Sequence, residues 1–317
     1  MIEERIHRTV SADGTEIVGR VHGQGPPLVL VHGGIGDGEV AWEALWPHLT
    51  DRFTCYLPST RGRGLSADNP DHSPPRLEED VTAFVESIGE PVGLVGWSGS
   101  GAWVLGAAER SASVAAVAAY EPGVISLMGE EDLGRTMGSM GQMGAAAADG
   151  RLVDALHAFV PWICTHEEIA ALKQTTFFER WASAVPAMLR FVQQDGSHQG
   201  PRSTDPEALS RISARVLLLL GRQTRLGTFF TDSARHLAQH VADSQIWDLP
   251  GVGHFAPVLA PESVAEELIT FFESAGATGR TTRAERRQPR SPAAIPPVAP
   301  STDRPRSIAM QPDTTAR

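Results

Sequence analysis

The sequence predicts an α/β fold built on a buried, largely parallel sheet, and three observations carry that prediction. Short apolar runs at residues 27–31, 92–97, 114–120 and 216–220 show no polar alternation, the pattern of strands covered on both faces. Stretches of helical spacing lie between them, as in a chain of βαβ units. One of the runs stops at Gly96-Trp97-Ser98-Gly99-Ser100-Gly101 and passes directly into an Ala- and Leu-rich stretch ending at Arg110. A strand that turns so abruptly into a helix belongs to this class.

In chain order, residues 6–10 and 16–22 read as two strands around the turn Ala12-Asp13-Gly14-Thr15, a hairpin signal. The buried strand 27–31 ends in His32-Gly33-Gly34-Ile35-Gly36-Asp37-Gly38. Residues 39–49 predict a helix and 53–58 a strand, followed by the tight loop Thr60-Arg61-Gly62-Arg63-Gly64-Leu65-Ser66. Apolar spacing predicts a helix over 76–88 with an acidic first turn, which complements the helix dipole. After the strand 114–120 comes Glu121-Pro122-Gly123, and the alternation then lapses. Residues 124–211 are mostly helical in pattern, clearest at 167–194, with Pro161 and Pro186 as interruptions. This insertion predicts a lid over the carboxyl ends of the strands, where such sheets bind ligands. The alternation resumes with the strand 216–220, a helix over 228–241, the strand 245–249, Pro250-Gly251-Val252-Gly253-His254-Phe255 and a last helix over 262–272.

Composition bounds the function. At 317 residues with 41% hydrophobic content, the chain can bury a sizeable core. It contains no apolar run of 18 residues, and Met-Ile-Glu-Glu-Arg at the start is no signal core, so a cytoplasmic protein without a membrane segment is expected. Cys55 and Cys164 lack metal-like spacing and read as reduced core thiols. From Gly276 onward, eight arginines and three acids give the tail +5, which leaves −16 for the body out of a total of −11. An acidic body argues against nucleic-acid binding by the main domain. The tail, rich in Pro, Arg, Ser and Thr, has too few apolar residues to order itself. The expected organisation is a core of residues 1–123 and 212–275, a lid of 124–211 and a disordered tail of 276–317.

The chemistry concentrates around Ser98. A serine ending a buried strand, with Gly96 and Ser100 two positions to either side, suggests a nucleophile elbow, whose strained turn tolerates only small neighbours. Ser100, flanked by Ser98 and Ala102, would take that role only if the strand ended two residues later. The glycine cluster 33–38 lacks the Lys-Ser/Thr of a P-loop and the spacing of a dinucleotide fingerprint. A loop presenting backbone N–H groups to an anionic transition state suits it better. A serine hydroxyl also needs a base, and His254 in its Pro-Gly-x-Gly-His-Phe turn is placed to reach Ser98. His7, His22 and His157 lack such a setting and read as structural, as does His32 in its loop.

Leu-Val-His-Gly-Gly, Arg-Gly-Arg-Gly-Leu-Ser, Gly-Trp-Ser-Gly-Ser-Gly and Pro-Gly-Val-Gly-His-Phe, in that order and spacing, together resemble the α/β-hydrolase superfamily over residues 6–274. The resemblance implies a mostly parallel eight-stranded sheet flanked by helices, with the lid inserted after strand six. It implies a serine hydrolase using Ser98 as nucleophile and His254 as base, with no metal or organic cofactor. The oxyanion hole would be the backbone N–H groups of Gly34 and Gly99, at about 3 kcal/mol of barrier per donor, with Ile35 as an alternative donor. Trp97 and Ile35 would touch a small-molecule substrate. Members of the family commonly carry Asp after strand seven, where this sequence has Thr224 in Gly221-Arg222-Gln223-Thr224-Arg225. A neutral threonine does not stabilise an imidazolium. Some branches place the acid after strand six, which makes Glu121 the candidate. Ser59 also stands where an Asp often precedes the Arg-Gly loop, with no functional meaning attached.

These features predict cleavage of an ester, thioester or lactone of a medium-sized apolar molecule. The lid residues Met128, Met137, Met140, Met143, Phe159, Trp162 and Trp181 suit such a substrate or simply pack the lid. Arg222 and Arg225 near the expected rim would favour an anionic group. Carbon–carbon bond hydrolase and perhydrolase chemistry occur in similar sequences, amide cleavage is less favoured, and Ser98 argues against the carboxylate nucleophile of epoxide hydrolases. The competing class is a non-catalytic small-molecule binding protein of the same fold.

Overall fold

The computed structural model describes residues 5–278; the tail expected over 276–317 lies outside them from residue 279 onward. Eight strands, β1 (Arg5–Val10), β2 (Glu16–Gly23), β3 (Pro27–Val31), β4 (Thr54–Pro58), β5 (Val92–Trp97), β6 (Val114–Tyr120), β7 (Arg215–Gly221) and β8 (Ser244–Leu249), form one sheet in the order β1-β2-β4-β3-β5-β6-β7-β8. β2 pairs antiparallel with β1 and β4, and every other pairing is parallel. The apolar runs explain the order. β3 is buried at every position and β5, β6 and β7 at nearly every one, so these strands need cover on both faces. β8, whose residues 245–248 are exposed, ends the sheet.

Helices α1 (Pro74–Ser87) and α2 (Ser100–Arg110) cover the early strands. The insertion between β6 and β7 holds α3 (Glu130–Ala148), α4 (Leu152–Ile163), α5 (His166–Leu172), α6 (Phe177–Trp181), α7 (Val185–Ser197) and α8 (Pro206–Ser210). Then come α9 (Gly227–His240), α10 (Ala256–Leu259) and α11 (Pro261–Thr278). Because β3 and β5 to β8 are parallel, their carboxyl ends open on one side of the sheet, and the loops after them meet there. Among the described residues no helix is long and apolar enough to cross a membrane.

Four local expectations are corrected. Residues 39–49 form consecutive turns with one 3-10 turn at Trp46–His48 rather than an α-helix. Leu45, His48 and Leu49 donate to carbonyls three residues back, and Pro47 has no N–H to continue an α-helical ladder. α1 begins at Pro74, so Glu78 and Asp80 fall beyond the first turn. They are buried ion-pair partners of Arg110 and Arg61, each at 2.6 Å, rather than complements to the dipole. The stretch 167–194 is three helices, and the longest helix of the insertion is α3. Pro161 sits inside α4 and Pro186 in the first turn of α7, where its missing N–H is harmless.

Candidate active site

β5 ends at Trp97, and Ser98 follows in the left-handed region at φ 58°. Its N–H bonds the Tyr120 carbonyl at 2.9 Å, and its carbonyl accepts the Gly101 N–H at 3.0 Å. The turn leaves no room beside it. A Cβ on Gly96 would stand 2.7 Å from Val104 Cγ2 and 2.9 Å from the Ser100 carbonyl oxygen. The two serines are thereby distinguished. Ser100 is buried, its hydroxyl accepting from the Trp97 N–H and donating to the Val31 carbonyl, both at 2.8 Å. Ser98 lines a cavity together with His254.

The turn after β8 carries His254, whose Nδ1 lies 2.6 Å from Glu121 Oε2, both residues buried. Glu121 follows β6 at φ 44°, and its Oε1 accepts the Gly221 N–H at 3.0 Å. Both carboxylate oxygens are therefore occupied at the ends of neighbouring strands. The Nδ1 contact to a carboxylate sets that nitrogen as the donor and leaves Nε2 as the basic one. The turn itself is pinned by Trp97 Nε1–H on the His254 carbonyl at 3.0 Å and by the Tyr120 hydroxyl on the Gly253 carbonyl at 2.5 Å. The Phe230 ring stacks on the imidazole at 5.1 Å and 12°. Thr224, in the usual acid position, keeps a buried hydroxyl with no hydrogen-bond partner.

The loop after β3 closes onto the elbow. A Cβ on Gly33 would meet the Trp97 carbonyl oxygen at 3.0 Å and Ser98 Cβ at 3.4 Å. The Gly34 nitrogen lies 3.7 Å from where a Gly99 Cβ would stand, and Gly34, Gly99 and Ile35 all line the cavity with Ser98 and His254. His32 holds this loop from below. Its Nε2 accepts the Thr60 N–H at 3.0 Å, so its Nδ1 donates to the Gly33 carbonyl at 2.8 Å. Burial, with the Arg63 charge beside it, pushes this imidazole down to about 3, so it is neutral.

Sequence reasoning singled out neither Arg63 nor Glu168, two buried residues close to the site. The Arg63 guanidinium donates to the Gly33 and Gly36 carbonyls at 3.2 and 3.3 Å. Burial lowers it to about 9. Glu168 accepts the Phe255 N–H, one residue past His254, at 2.8 Å. A signal for it existed in Thr165-His166-Glu167-Glu168, a capping-box pattern.

Trp97 and Ile35 lie on the cavity wall, joined by Trp103, Met140, Phe159, Trp162 and Phe191. Counting its open mouth, the cavity holds about 1280 Å³. Its lining is mainly apolar, with Glu78, Asp195, Arg202, Ser203 and Thr204 as a polar portion. Four of the candidate insertion residues do not line it: Met128, Met143 and Trp181 are buried in packing, and Met137 is exposed. Arg222 lines a separate depression and lies 3.6 Å from Asp248, and Arg225 lines neither. Neither arginine expected at the rim therefore lines the cavity that holds Ser98. Among the described residues no group of three or more His, Cys, Asp or Glu is placed to hold a metal ion.

Known proteins resemble this chain in sequence and in fold. Pyrrolizixenacetamide deacetylase from Xenorhabdus hominickii is 38% identical over 84 residues, 25% of this chain and 30% of that protein. A pimeloyl-[acyl-carrier protein] methyl ester esterase from Aeromonas hydrophila is 40% identical over 78 residues, 24% of this chain and 29% of that one. The matches thus span less than a third of either relative. In fold, a thermophilic esterase from Thermogutta terrifontis superposes with a TM-score of 0.69 at 20% identity, covering 86% of this chain and 99% of the esterase. The model of the Alpha/beta hydrolase family matches residues 28–267, which takes in the sheet from β3 onward and every strand-end loop described above; the chain belongs to that family.

Proposed function

We propose that this protein cleaves a carboxylic ester, thioester or lactone of a medium-sized apolar molecule through an acyl-enzyme on Ser98. The observation that carries the reading is the 2.6 Å contact between His254 Nδ1 and Glu121 Oε2, buried at the ends of neighbouring strands. In this reading His254 Nε2 takes the Ser98 hydroxyl proton as Oγ attacks the substrate carbonyl carbon. Glu121 holds the ring and stabilises the imidazolium. The carbonyl oxygen, now an oxyanion, is met by the N–H groups of Gly99 and Gly34, with Ile35 as the alternative second donor. As the tetrahedral intermediate collapses, His254 returns the proton to the leaving alcohol, thiol or hydroxyl. Water then attacks the acyl carbon, giving its proton to His254. The second collapse frees the acid and restores Ser98.

The apolar cavity wall supports an apolar substrate. An amide is the second reading, favoured by the name of the deacetylase relative. Buried thiols at Cys55 and Cys164 are in keeping with a reducing cytoplasm. Purified protein assayed with short-chain p-nitrophenyl esters and matched anilides, beside fluorophosphonate labelling mapped by peptide mass, tests the proposal. Ester turnover with the label on Ser98, both lost in Ser98→Ala and His254→Ala, is the expected result. A wild type that neither labels nor turns over any ester or anilide would favour the non-catalytic binding protein.

A further inference from the structure

A second carboxylate stands behind the histidine turn, and it comes from the insertion. Thr165 caps α5, and Glu168 closes the capping box: the Thr165 N–H donates to Glu168 Oε2 at 3.0 Å and the Glu168 N–H to Thr165 Oγ1 at 3.2 Å. A capping box satisfies only the helix's own donors. Here the other oxygen, Oε1, accepts the Phe255 N–H at 2.8 Å, and Glu168 is buried at 8% exposure. Gly253 makes the approach feasible, since a Cβ there would stand 2.5 Å from Oε1 and 2.6 Å from Cδ. One side chain of the insertion thus bonds the N–H that follows His254 and packs against the glycine that precedes it. Burying a carboxylate costs free energy unless donors meet it, and both of these oxygens are met by backbone N–H groups.

We infer that Glu168 is a positioning residue that ties the helical insertion to His254, holding residues 253–255 so that Nδ1 faces Glu121 and adding negative charge behind the imidazole. The inference rests on the reading of His254 as the general base. The ionisable groups around the turn are Glu121 from the end of β6, Glu168 from α5, the Tyr120 phenol on the Gly253 carbonyl and the Cys164 thiol after α4, whose titration burial and both carboxylates push upward. Burial pushes the Glu168 carboxyl up, while the Phe255 and Thr165 N–H groups and the neighbouring His254 draw it back. Glu121 and Glu168 act on an imidazolium with the same sign, so removing one charge makes the ring harder to protonate.

The test uses the full chain, with Glu168→Gln, Glu168→Ala, Gly253→Ala and the Glu168→Ala/Gly253→Ala double variant. Steady-state hydrolysis of p-nitrophenyl butyrate across pH is measured well below each melting temperature. The low-field proton resonance of the His254 Nδ1–H is followed in parallel, assigned by its loss in Glu121→Gln. Expected are a kcat loss of about tenfold in Glu168→Gln and up to about a hundredfold in Glu168→Ala, the scale of a small misplacement of a catalytic group. KM should stay within about twofold by the same argument, since the change is not in substrate contacts. The acid limb of kcat/KM should move to lower pH, and the low-field proton should broaden. Gly253→Ala should reproduce Glu168→Ala, and the double variant should be no worse than either alone, because both break one contact. A lower melting temperature with unchanged kcat, acid limb and resonance would overturn the inference and leave Glu168 as a helix cap. The resonance reports on the histidine without turnover. A protein that fails to hydrolyse any substrate yet broadens as expected would therefore overturn the hydrolytic reading and keep the positioning contact.

Discussion

Among the described residues, two that are not glycine adopt positive φ, and they are Ser98 and Glu121. Such conformations cost about 1–3 kcal/mol each and persist where the surroundings over-determine them. Here the tight packing at Gly96 and the Glu121 N–H on the Leu219 carbonyl supply that determination. Ser98 was legible because an elbow demands small neighbours at fixed offsets. Glu121 was a candidate through the absence of a carboxylate at Thr224 and its place directly after strand six, since nothing local to Glu121-Pro122-Gly123 distinguishes a buried acid from a loop acid. Arg63 was a landmark without a role, because its partners are carbonyls 27 and 30 residues away in sequence. Two predictions belong to single residues. Ser100→Ala leaves the buried Trp97 N–H without its acceptor, so stability should fall by about 1–3 kcal/mol. Labelling at Ser98 should persist, which a mass shift on the labelled peptide would show. His32, held near 3 against an ordinary 6.5, remains neutral in the fold while the unfolded chain takes up a proton. Stability should therefore fall as pH drops from 6.5 toward 3. The contribution is about 1.4 kcal/mol per pH unit within that window. Urea midpoints of His32→Gln should show a shallower slope between about pH 6 and pH 4 than wild type; equal slopes would contradict it.

The elements that were predicted well are those with strong apolar runs. Three of the four buried parallel strands, the hairpin and the helices after β5 and β7 fall within a residue or two of their predicted bounds, and the fourth, β7, within one at each end. The misread stretch 39–49 has helical spacing because Ala41, Trp42, Leu45 and Leu49 are all buried, and burial periodicity does not distinguish an α-helix from a series of tight turns. The insertion was legible as helical and not as individual helices, because its breaks are set by packing against the core. α5 shows this directly: its cap is also a contact to the histidine turn. The loop after β4 is fastened to α1 and the β1–β2 turn by the fully buried Arg61, which pairs with Asp80 through Nε and Nη2 at 2.7 and 2.6 Å and with Asp13 at 2.8 Å. Asp80→Ala would strand that charge, and breaking one side of such a pair costs about 3–5 kcal/mol. Equilibrium urea unfolding should record the loss, with a far smaller change for Glu16→Ala, which removes the exposed Arg8–Glu16 pair at 3.2 Å.

At the scale of the molecule, topology does what no single segment does. The parallel pairing of β3 and β5 to β8 sends the glycine loop after β3, the turn at Ser98, Glu121, Gly221 and the His254 turn to one side of the sheet. In the proposed reading the sheet order also explains how the acid could occupy a second strand end. β6 lies beside β7, so a carboxylate leaving either strand end reaches the same histidine, and the Gly221 N–H on Glu121 Oε1 marks that shared position. The four sequence landmarks are the four loops at this end, which is why a family was legible, whereas much of the cavity wall comes from the insertion. The core also encloses both cysteines. Burial pushes the Cys55 thiol up to about 12 and raises Cys164 as well. Ellman's reagent should find no reactive thiol in the folded chain and two after unfolding; a thiol titrating in the native protein would contradict this packing.

The central claim is that the acid of the triad has moved to Glu121, and one kinetic comparison reaches it. Glu121→Gln preserves the shape of the side chain and removes the charge that would stabilise the imidazolium. Its kcat/KM for p-nitrophenyl acetate at pH 7.5 should fall by about 10³- to 10⁴-fold, the scale seen when the acid of a serine triad is made neutral. A variant that keeps wild-type kcat/KM would contradict the account and leave His254 without the partner that the fold places beside it.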